Sequence, residues 1–298
     1  MKKIVITGQS GLIGKHLTKL LQGKGYEVCG LSRTQRGENQ FFWDIAKMQL
    51  DANALKDASV IIHLAGAGIA EKRWSEARKK DIIESRVKSA ELLYQSVKNE
   101  SIQLEAFISA SGINYYGTTT SAAIFTETDG PGNDFAAKCC VAWEEAVDKF
   151  AEITRVVKLR TGVVLAKNGG ALKKMIPPVK MGIGSPLGTG RQYVPWIHID
   201  DVCQMYLWAI ENTNVTGAYN AISPEHTTNK ELMHQIAKAL KKPFFFPAVP
   251  AFVIKLLFGK MGNLVLEGSR ASADKVLREG FVFRFPELSK ALACAVSK

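Results

Sequence analysis

The chain has 298 residues, enough for one large α/β domain or a domain with a smaller appendage, and its 46% apolar and 22% charged content is that of an ordinary globular protein. Five scattered cysteines, with no Cys-x-x-Cys spacing or Cys/His cluster, exclude a disulfide framework and a zinc site and fit a reducing cytoplasmic compartment. A net charge of +11 raises nucleic-acid binding, but the lysines are spread out, clustered only briefly at Lys79-Lys80 and Lys241-Lys242, and no nucleic-acid motif accompanies them.

The apolar run after Met1-Lys2-Lys3 is too short for a signal-peptide core. The strongest later run, Ala251 to Phe258, is interrupted by Lys255 and cannot span a bilayer, so a soluble protein without a membrane partner is expected. Strands are expected at residues 3–7, 27–31, 60–64, 106–110 and 154–159, with helices at 12–22, 76–98 and 136–150 between them. Short apolar runs without alternation suit strands buried on both faces, and the helical periods imply crossovers. The fold class is therefore α/β: a Rossmann-type doubly wound parallel sheet.

After about Gly169 the texture changes. Pro177-Pro178 precedes a glycine-rich loop from Gly182 to Gly190, and helices return at 202–212, 229–240, 252–266 and 272–277. This part reads as a smaller α/β substrate lobe interwoven with the sheet. The expected division is a dinucleotide-binding domain at 1–168, drawing further strands from about 190–222, and a substrate-side lobe at 169–298 with a small terminal domain at about 245–298.

The strongest local signal is Thr7-Gly8-Gln9-Ser10-Gly11-Leu12-Ile13-Gly14, where the first strand turns into the first helix. Glycines let the backbone turn tightly and approach a pyrophosphate, and a helix N-terminus offers unpaired N–H groups. Gly14 permits close packing of helix on strand. At the start of a βαβ unit the motif reads as a dinucleotide site rather than a plain turn. The second strand ends in Leu31-Ser32-Arg33, with no acid before Glu38. An acid would hold a ribose 2′-hydroxyl, whereas Arg33 pairs with a 2′-phosphate, so NADP(H) is the expected cofactor. Asp44, after Phe41-Phe42-Trp43, would accept from the adenine amino group or act as an N-cap. His63-Leu64-Ala65-Gly66-Ala67 ends a strand with small residues that let a flat ring pass close to the backbone.

Together these residues resemble the extended short-chain dehydrogenase/reductase superfamily, which includes nucleotide-sugar epimerases. The resemblance sharpens on Ser109-Ala110-Ser111-Gly112-Ile113-Asn114-Tyr115-Tyr116-Gly117, on Arg160-Thr161-Gly162, on Gly188-Thr189-Gly190-Arg191-Gln192, on Trp196-Ile197-His198-Ile199-Asp200-Asp201-Val202 and on Ser269-Arg270-Ala271-Ser272. These look like the atypical "epimerase family protein" branch, whose members carry a short C-terminal domain of unknown function. The resemblance covers essentially the whole chain. It implies catalysis by a tyrosine and a lysine four residues on, the lysine lowering the phenol's pKa so that it exchanges a proton while hydride moves. It also implies a serine holding the substrate oxygen, matched by Ser111 or, second, by Ser109.

The tyrosine–lysine pair is not matched. If Phe135 takes the tyrosine position, Cys139 falls where lysine belongs; if Lys138 is kept in register, its partner is Asp134. Tyr115, Tyr116, Lys138 or water would then carry the proton, although both tyrosines also fit as structural aromatics. Arg86 falls where the superfamily usually has an asparagine and suits an anionic substrate or a cofactor phosphate, or a plain helix surface. The Gly182–Gln192 loop, with Gly190 and Arg191, would wrap a phosphate or carboxylate, and Arg160 would line the cofactor side of that cleft. His198 with Asp200 and Asp201 forms a His–carboxylate arrangement or caps the following helix.

Two functions stay open. One is an NADP(H)-dependent oxidoreductase or epimerase acting on a small anionic or sugar-like molecule; the other is a non-catalytic NADP(H)-binding redox sensor or regulator. A homodimer through helices 76–98 and 136–150 and a monomer are both compatible with the sequence.

Overall fold

The computed structural model describes residues 1–34, 37, 39–167 and 169–296; Glu38, the first acid after Arg33, lies outside the described residues. The first half runs β1 (Lys3–Thr7), α1 (Leu12–Gly23), β2 (Glu27–Ser32), β3 (Gln40–Asp44), β4 (Gln49–Leu50), β5 (Ala58–His63), α2 (Glu76–Asn99), β6 (Ala106–Gly112), β7 (Ile124–Phe125) and α3 (Phe135–Asp148). The middle contains β8 (Arg155–Thr161), β9 (Val163–Ala166), β10 (Gly169–Gly170), α4 (Leu172–Lys180), β11 (Trp196–His198), α5 (Ile199–Glu211) and β12 (Gly217–Ala221). There follow α6 (Asn229–Ala239), α7 (Ala251–Phe258), α8 (Asn263–Leu266), β13 (Arg270–Ala271), α9 (Asp274–Arg278) and α10 (Leu288–Val296).

The main sheet has the order β12-β8-β6-β5-β1-β2-β3-β4 and is parallel except for the β3–β4 pair. The chain winds from β1 outward to β4, then returns to lay β5 against the other side of β1. This reversal leaves a crevice at the C-terminal ends of β1 and β5, the place where doubly wound sheets bind ligands.

Alternation along the strands feeds two cores. Ile4, Ile6, Ile62 and Ile108 pack with Leu17 and Leu21 of α1 and Val202 and Tyr206 of α5. Val5, Ile61 and Phe107 face the other way, onto Leu93 of α2 and Trp143 of α3. Each such side chain, fully buried, contributes roughly 1.5–3 kcal/mol, which is why both faces must be covered. A third core forms the C-terminal lobe, where α4, α6 and α10 close over Leu165 and Trp196 of the β10-β9-β11 sheet. No helix among the described residues is long and apolar enough to cross a membrane.

Two helix expectations in the second half need correction, and the helix α4 there was not expected. The helix expected over 252–266 is interrupted at Gly259, whose φ of +58° ends α7 before a 3-10 turn leads into α8. Pro177 and Pro178, just before the glycine-rich loop, lie inside α4. The carbonyls they leave without donors belong to Lys173 and Lys174, which are exposed to water, while Leu172 and Val179 bury the other side. The helix expected at 272–277 begins two residues later, at Asp274.

Candidate functional site

The turn after β1 is shaped by two glycines. Gly8 has φ +68°, and a Cβ there would sit 3.0 Å from the Leu64 carbonyl carbon and oxygen. At Gly14 a Cβ would run into the Gly8 carbonyl oxygen and lie 2.7 Å from Gln9 Cα, so only glycine lets α1 start this close to the strand. α1 begins with Gly11 as its N-cap, without a side-chain cap and without an acid in the first turn. Its first N–H groups therefore face outward unneutralised, beside exposed Ser10 and half-buried Leu12 and Ile13. These features fit a bound pyrophosphate. Arg33 is exposed at the end of β2, next to Ser32, whose hydroxyl donates to Thr34 O (2.9 Å). Asp44 caps its own turn, its Oδ1 accepting from Ala46 N (2.9 Å) and Lys47 N (3.2 Å).

Thr7 is fully buried, and its hydroxyl oxygen accepts from both Leu64 N and Ala65 N at 3.0 Å. Expected to touch the cofactor, it instead stitches the end of β1 to the loop after β5. That loop rests on Arg86, which donates to Ala67 O (3.0 Å) and Ile82 O (2.8 Å) and stacks over Trp143 at 4.8 Å. A Cβ on Gly66 would meet the guanidinium carbon at 2.9 Å. Arg86 thus props the Leu64–Ala65–Gly66 loop from below, which corrects its reading as an anion ligand: Nη1 is committed to carbonyls, and burial lowers its pKa.

Beneath the loop, His63 is fully buried. Trp143 Nε1 can only donate, so His63 Nδ1 accepts from it (3.2 Å) and Nε2 carries the proton, donating to Ser89 Oγ (2.7 Å). Ser89 passes its own proton to Ser85 O (2.7 Å), while Ser109 lies 3.3 Å from His63 Nδ1 and donates to Ala110 O. Burial, reinforced by Arg86, pushes the imidazole down to about 3. Ser109 is therefore a member of this neutral network rather than an exposed substrate ligand.

Ser111, two residues on and hence on the same face of β6, donates to Glu144 Oε1 at 2.7 Å. Glu144 is in turn held by Arg160 through two N–H···O bonds of 2.9 Å, with both side chains buried. Arg160 also donates to Tyr116 Oη (2.9 Å), which donates to Asn220 Oδ1 (2.8 Å). This cluster ties β6, α3, β8 and β12 together. It corrects three expectations. Arg160 is turned inward and does not line the cofactor cleft; Ser111 has spent its proton on Glu144; and burial pushes the Tyr116 phenol up to about 12, too high for a proton shuttle near neutrality. Tyr115 differs: its ring lies 3.4 Å from the Arg160 guanidinium, and its hydroxyl has no hydrogen-bond partner among the described residues.

Most amides of the glycine-rich loop are already used within the fold, which leaves few to wrap an anion. Leu187 N donates to Asn229 Oδ1, Gly188 N to Val249 O, Gly190 N to Leu187 O and Arg191 N to Thr189 Oγ1. The Arg191 side chain is exposed. His198 caps α5, its Nδ1 accepting from Asp200 N (3.2 Å), and its ring packs on Phe285 at 4.0 Å, so it is a buried cap rather than a substrate ligand.

A cavity of about 260 Å³ lies at the start of α3. Trp74 and Phe135, edge to face at 4.7 Å, form its apolar wall; Lys79 and Lys260 supply charge, and Asp134 and Thr118 supply acceptors and a hydroxyl. Asp134 caps α3 by accepting from Ala137 N (2.9 Å) and anchors Thr118 by accepting from its N–H (2.6 Å) and hydroxyl (2.7 Å). Lys138 is exposed on α3 and does not reach the cavity wall. None of the residues expected to hold substrate lines it. Glu144, Trp74, Lys79 and Lys260 were all missed by the sequence reading. Only Glu144 had a local signal: it falls four residues after Cys140 and three before Val147, a charge set into the apolar stripe of α3.

The model of the NAD dependent epimerase/dehydratase family matches residues 4–222, and that of a domain of unknown function, DUF1731, matches residues 249–295. The mouse epimerase family protein SDR39U1 is 34% identical over 298 residues, covering 99% of this chain and 100% of its own. The Mycobacterium tuberculosis epimerase family protein MT2273 is 33% identical, covering 99% of this chain and 98% of its own. Human epimerase family protein SDR39U1 (isoform2), crystallised with NADPH, superposes with a TM-score of 0.90 at 31% identity over 98% of each chain. With the family model spanning the whole main sheet, from β1 to β12, this chain belongs to the NAD dependent epimerase/dehydratase family and carries the DUF1731 segment behind it.

Proposed function

We propose that the chain binds NADP(H) across the C-terminal ends of β1, β2 and β5 and is an oxidoreductase or epimerase-type enzyme for a small anionic or sugar-like substrate, working without a tyrosine–lysine pair. The observation that carries the cofactor reading is the uncapped start of α1 against Gly8 and Gly14, supported by the NADPH in the human relative. Gly8, Ser10, Gly11, Leu12, Ile13 and Gly14 then hold the pyrophosphate, Ser32 and Arg33 the 2′-phosphate, Asp44 the adenine edge, and Leu64, Ala65 and Gly66 border the path of the rings.

The chemistry NADP(H) supplies when bound is hydride transfer. The chain's own residues orient the substrate and move its proton. Tyr115, half-buried just past the end of β6 with its hydroxyl uncommitted, is the phenol placed to do so. Ser111 acts at one remove, by fixing Glu144 and through it the Arg160 guanidinium under the Tyr115 ring.

A second reading, a non-catalytic NADP(H) sensor, is favoured by one observation: the Ser111 hydroxyl and the Tyr116 phenol are both consumed by buried partners. Paired fluorescence titrations with NADPH and NADH test the cofactor. Tight NADPH-selective binding is expected, and no binding of either removes the proposal. Cofactor oxidation on addition of small anionic sugars separates enzyme from sensor, with Tyr115→Phe expected to abolish turnover while leaving NADPH affinity in place.

A further inference from the structure

We infer that the cavity at the start of α3 takes a free, polyhydroxylated anion of monosaccharide size, a sugar acid or sugar phosphate, with its charged group between Lys79 and Lys260. This deepens the enzymatic reading above and rests on it.

Size comes first. At about 260 Å³ the cavity falls just short of the roughly 300–1,000 Å³ that accommodates drug-sized ligands, so it suits one sugar ring rather than a nucleoside diphosphate sugar.

Charge comes second. Lys79 projects from α2 with its side chain only 18% exposed, and Lys260 arrives from the 3-10 turn after α7. Lys79 now pairs at 2.7 Å with Glu76, a carboxylate that is 88% exposed. That hydrogen bond holds the Glu76 carboxyl below its usual range, with a smaller contribution from Lys260, and both lysines line the one cavity. A ligand anion replaces the solvent-facing Glu76 there, at little cost because an exposed pair contributes little.

The opposite wall matches hydroxyls. Asp134 Oδ1 accepts one hydrogen bond and keeps a lone pair for a sugar hydroxyl, and Asn263 brings an amide from α8. Trp74 and Phe135 offer an apolar surface to the C–H face of a ring. Lys260, Asn263 and Leu264 all belong to the C-terminal DUF1731 segment, which thereby closes the substrate cavity opposite α2 and α3.

The test is calorimetric titration of the NADPH-saturated full chain with glucuronate, glucose 6-phosphate, glucose, cyclohexanecarboxylate and UDP-glucuronate. At least one of the two sugar anions should bind about tenfold more tightly than both neutral glucose and the hydroxyl-free carboxylate, and the tighter of the two identifies carboxylate or phosphate. Lys260→Met and Lys79→Met should each weaken that binding about fivefold or more without changing NADPH affinity. The inference is overturned if neither sugar anion binds while NADPH does, if both lysine variants bind like wild type, or if UDP-glucuronate binds tenfold more tightly than glucuronate. Failure of the wild-type chain to bind NADPH instead overturns the cofactor reading, and this inference with it.

Discussion

Arg160→Met removes the main partner of a carboxylate that has nowhere else to go. Arg160 gives Glu144 two parallel N–H···O bonds of 2.9 Å, and the two side chains are 5% and 6% exposed. Without the guanidinium, Glu144 keeps Ser111 at 2.7 Å and a distant Lys158 at 3.7 Å. Breaking a buried pair by deleting one partner costs roughly 3–5 kcal/mol, whereas replacing both partners with apolar residues of similar size is often close to neutral. Arg160→Met and Glu144→Leu should therefore each destabilise by about 4 kcal/mol, which for a chain of this size is a Tm loss of about 6 °C. The double variant should lose no more than either single variant, giving a coupling of about 4 kcal/mol or more. Chemical and thermal unfolding of the four proteins at neutral pH completes the cycle. Single-variant losses under about 1 kcal/mol, or losses that simply add, would refute the view that this pair is desolvated and mutually dependent.

Other expectations follow from the site. Gly14→Ala puts a methyl against the Gly8 carbonyl oxygen and Gln9, all of them backbone that cannot swing aside, so stability should fall by about 1–3 kcal/mol and NADPH affinity should fall with it; an unchanged affinity would separate the turn from the cofactor. Arg33→Asp replaces attraction at a 2′-phosphate with repulsion and should weaken NADPH about tenfold or more beyond any effect on NADH; equal losses would place the 2′-phosphate elsewhere. His63 is neutral in the folded protein down to about pH 3, whereas in the unfolded chain it takes up its proton near 6.5. Its contribution is thus complete above pH 6.5 and is lost as pH falls towards 3, at up to about 1.4 kcal/mol per pH unit. Urea unfolding between pH 4 and 6.5 should show this slope, and His63→Gln should flatten it.

The central strands β1, β2, β5, β6 and β8 were legible because parallel strands buried on both faces leave runs such as Lys3–Thr7 and Ala58–His63 with little alternation to confuse, whereas the outer strands β3, β4 and β12 were not singled out. α1, α2, α3 and α5 were legible from their stripes, and the turn at Gly8–Gly14 from local chemistry. The C-terminal segment was harder. There Gly259 breaks a stretch whose apolar content alone suggests one helix, and α10 shows its apolar face only against α6.

What the sequence by itself determined are the properties carried within one element or one turn: the α/β winding, the glycine turn after β1 and the missing acid after β2. The tertiary structure decided which polar side chains are free. Ser111, Tyr116, Arg160 and Arg86 are all polar residues near strand ends or on the helices beside them, and nothing local distinguishes a ligand from a strut, whereas the cap at His198 was open to a local reading. Beyond the local Arg86–Ile82 O and His198–Asp200 N contacts, their partners are distant in sequence: Glu144 is 16 residues from Arg160, Asn220 is 104 from Tyr116, and Ala67 O and Phe285 hold Arg86 and His198. The cavity is of the same kind: α2, α3 and the turn after α7 meet only when the chain closes, and Lys79 and Lys260 come to line one cavity through that meeting.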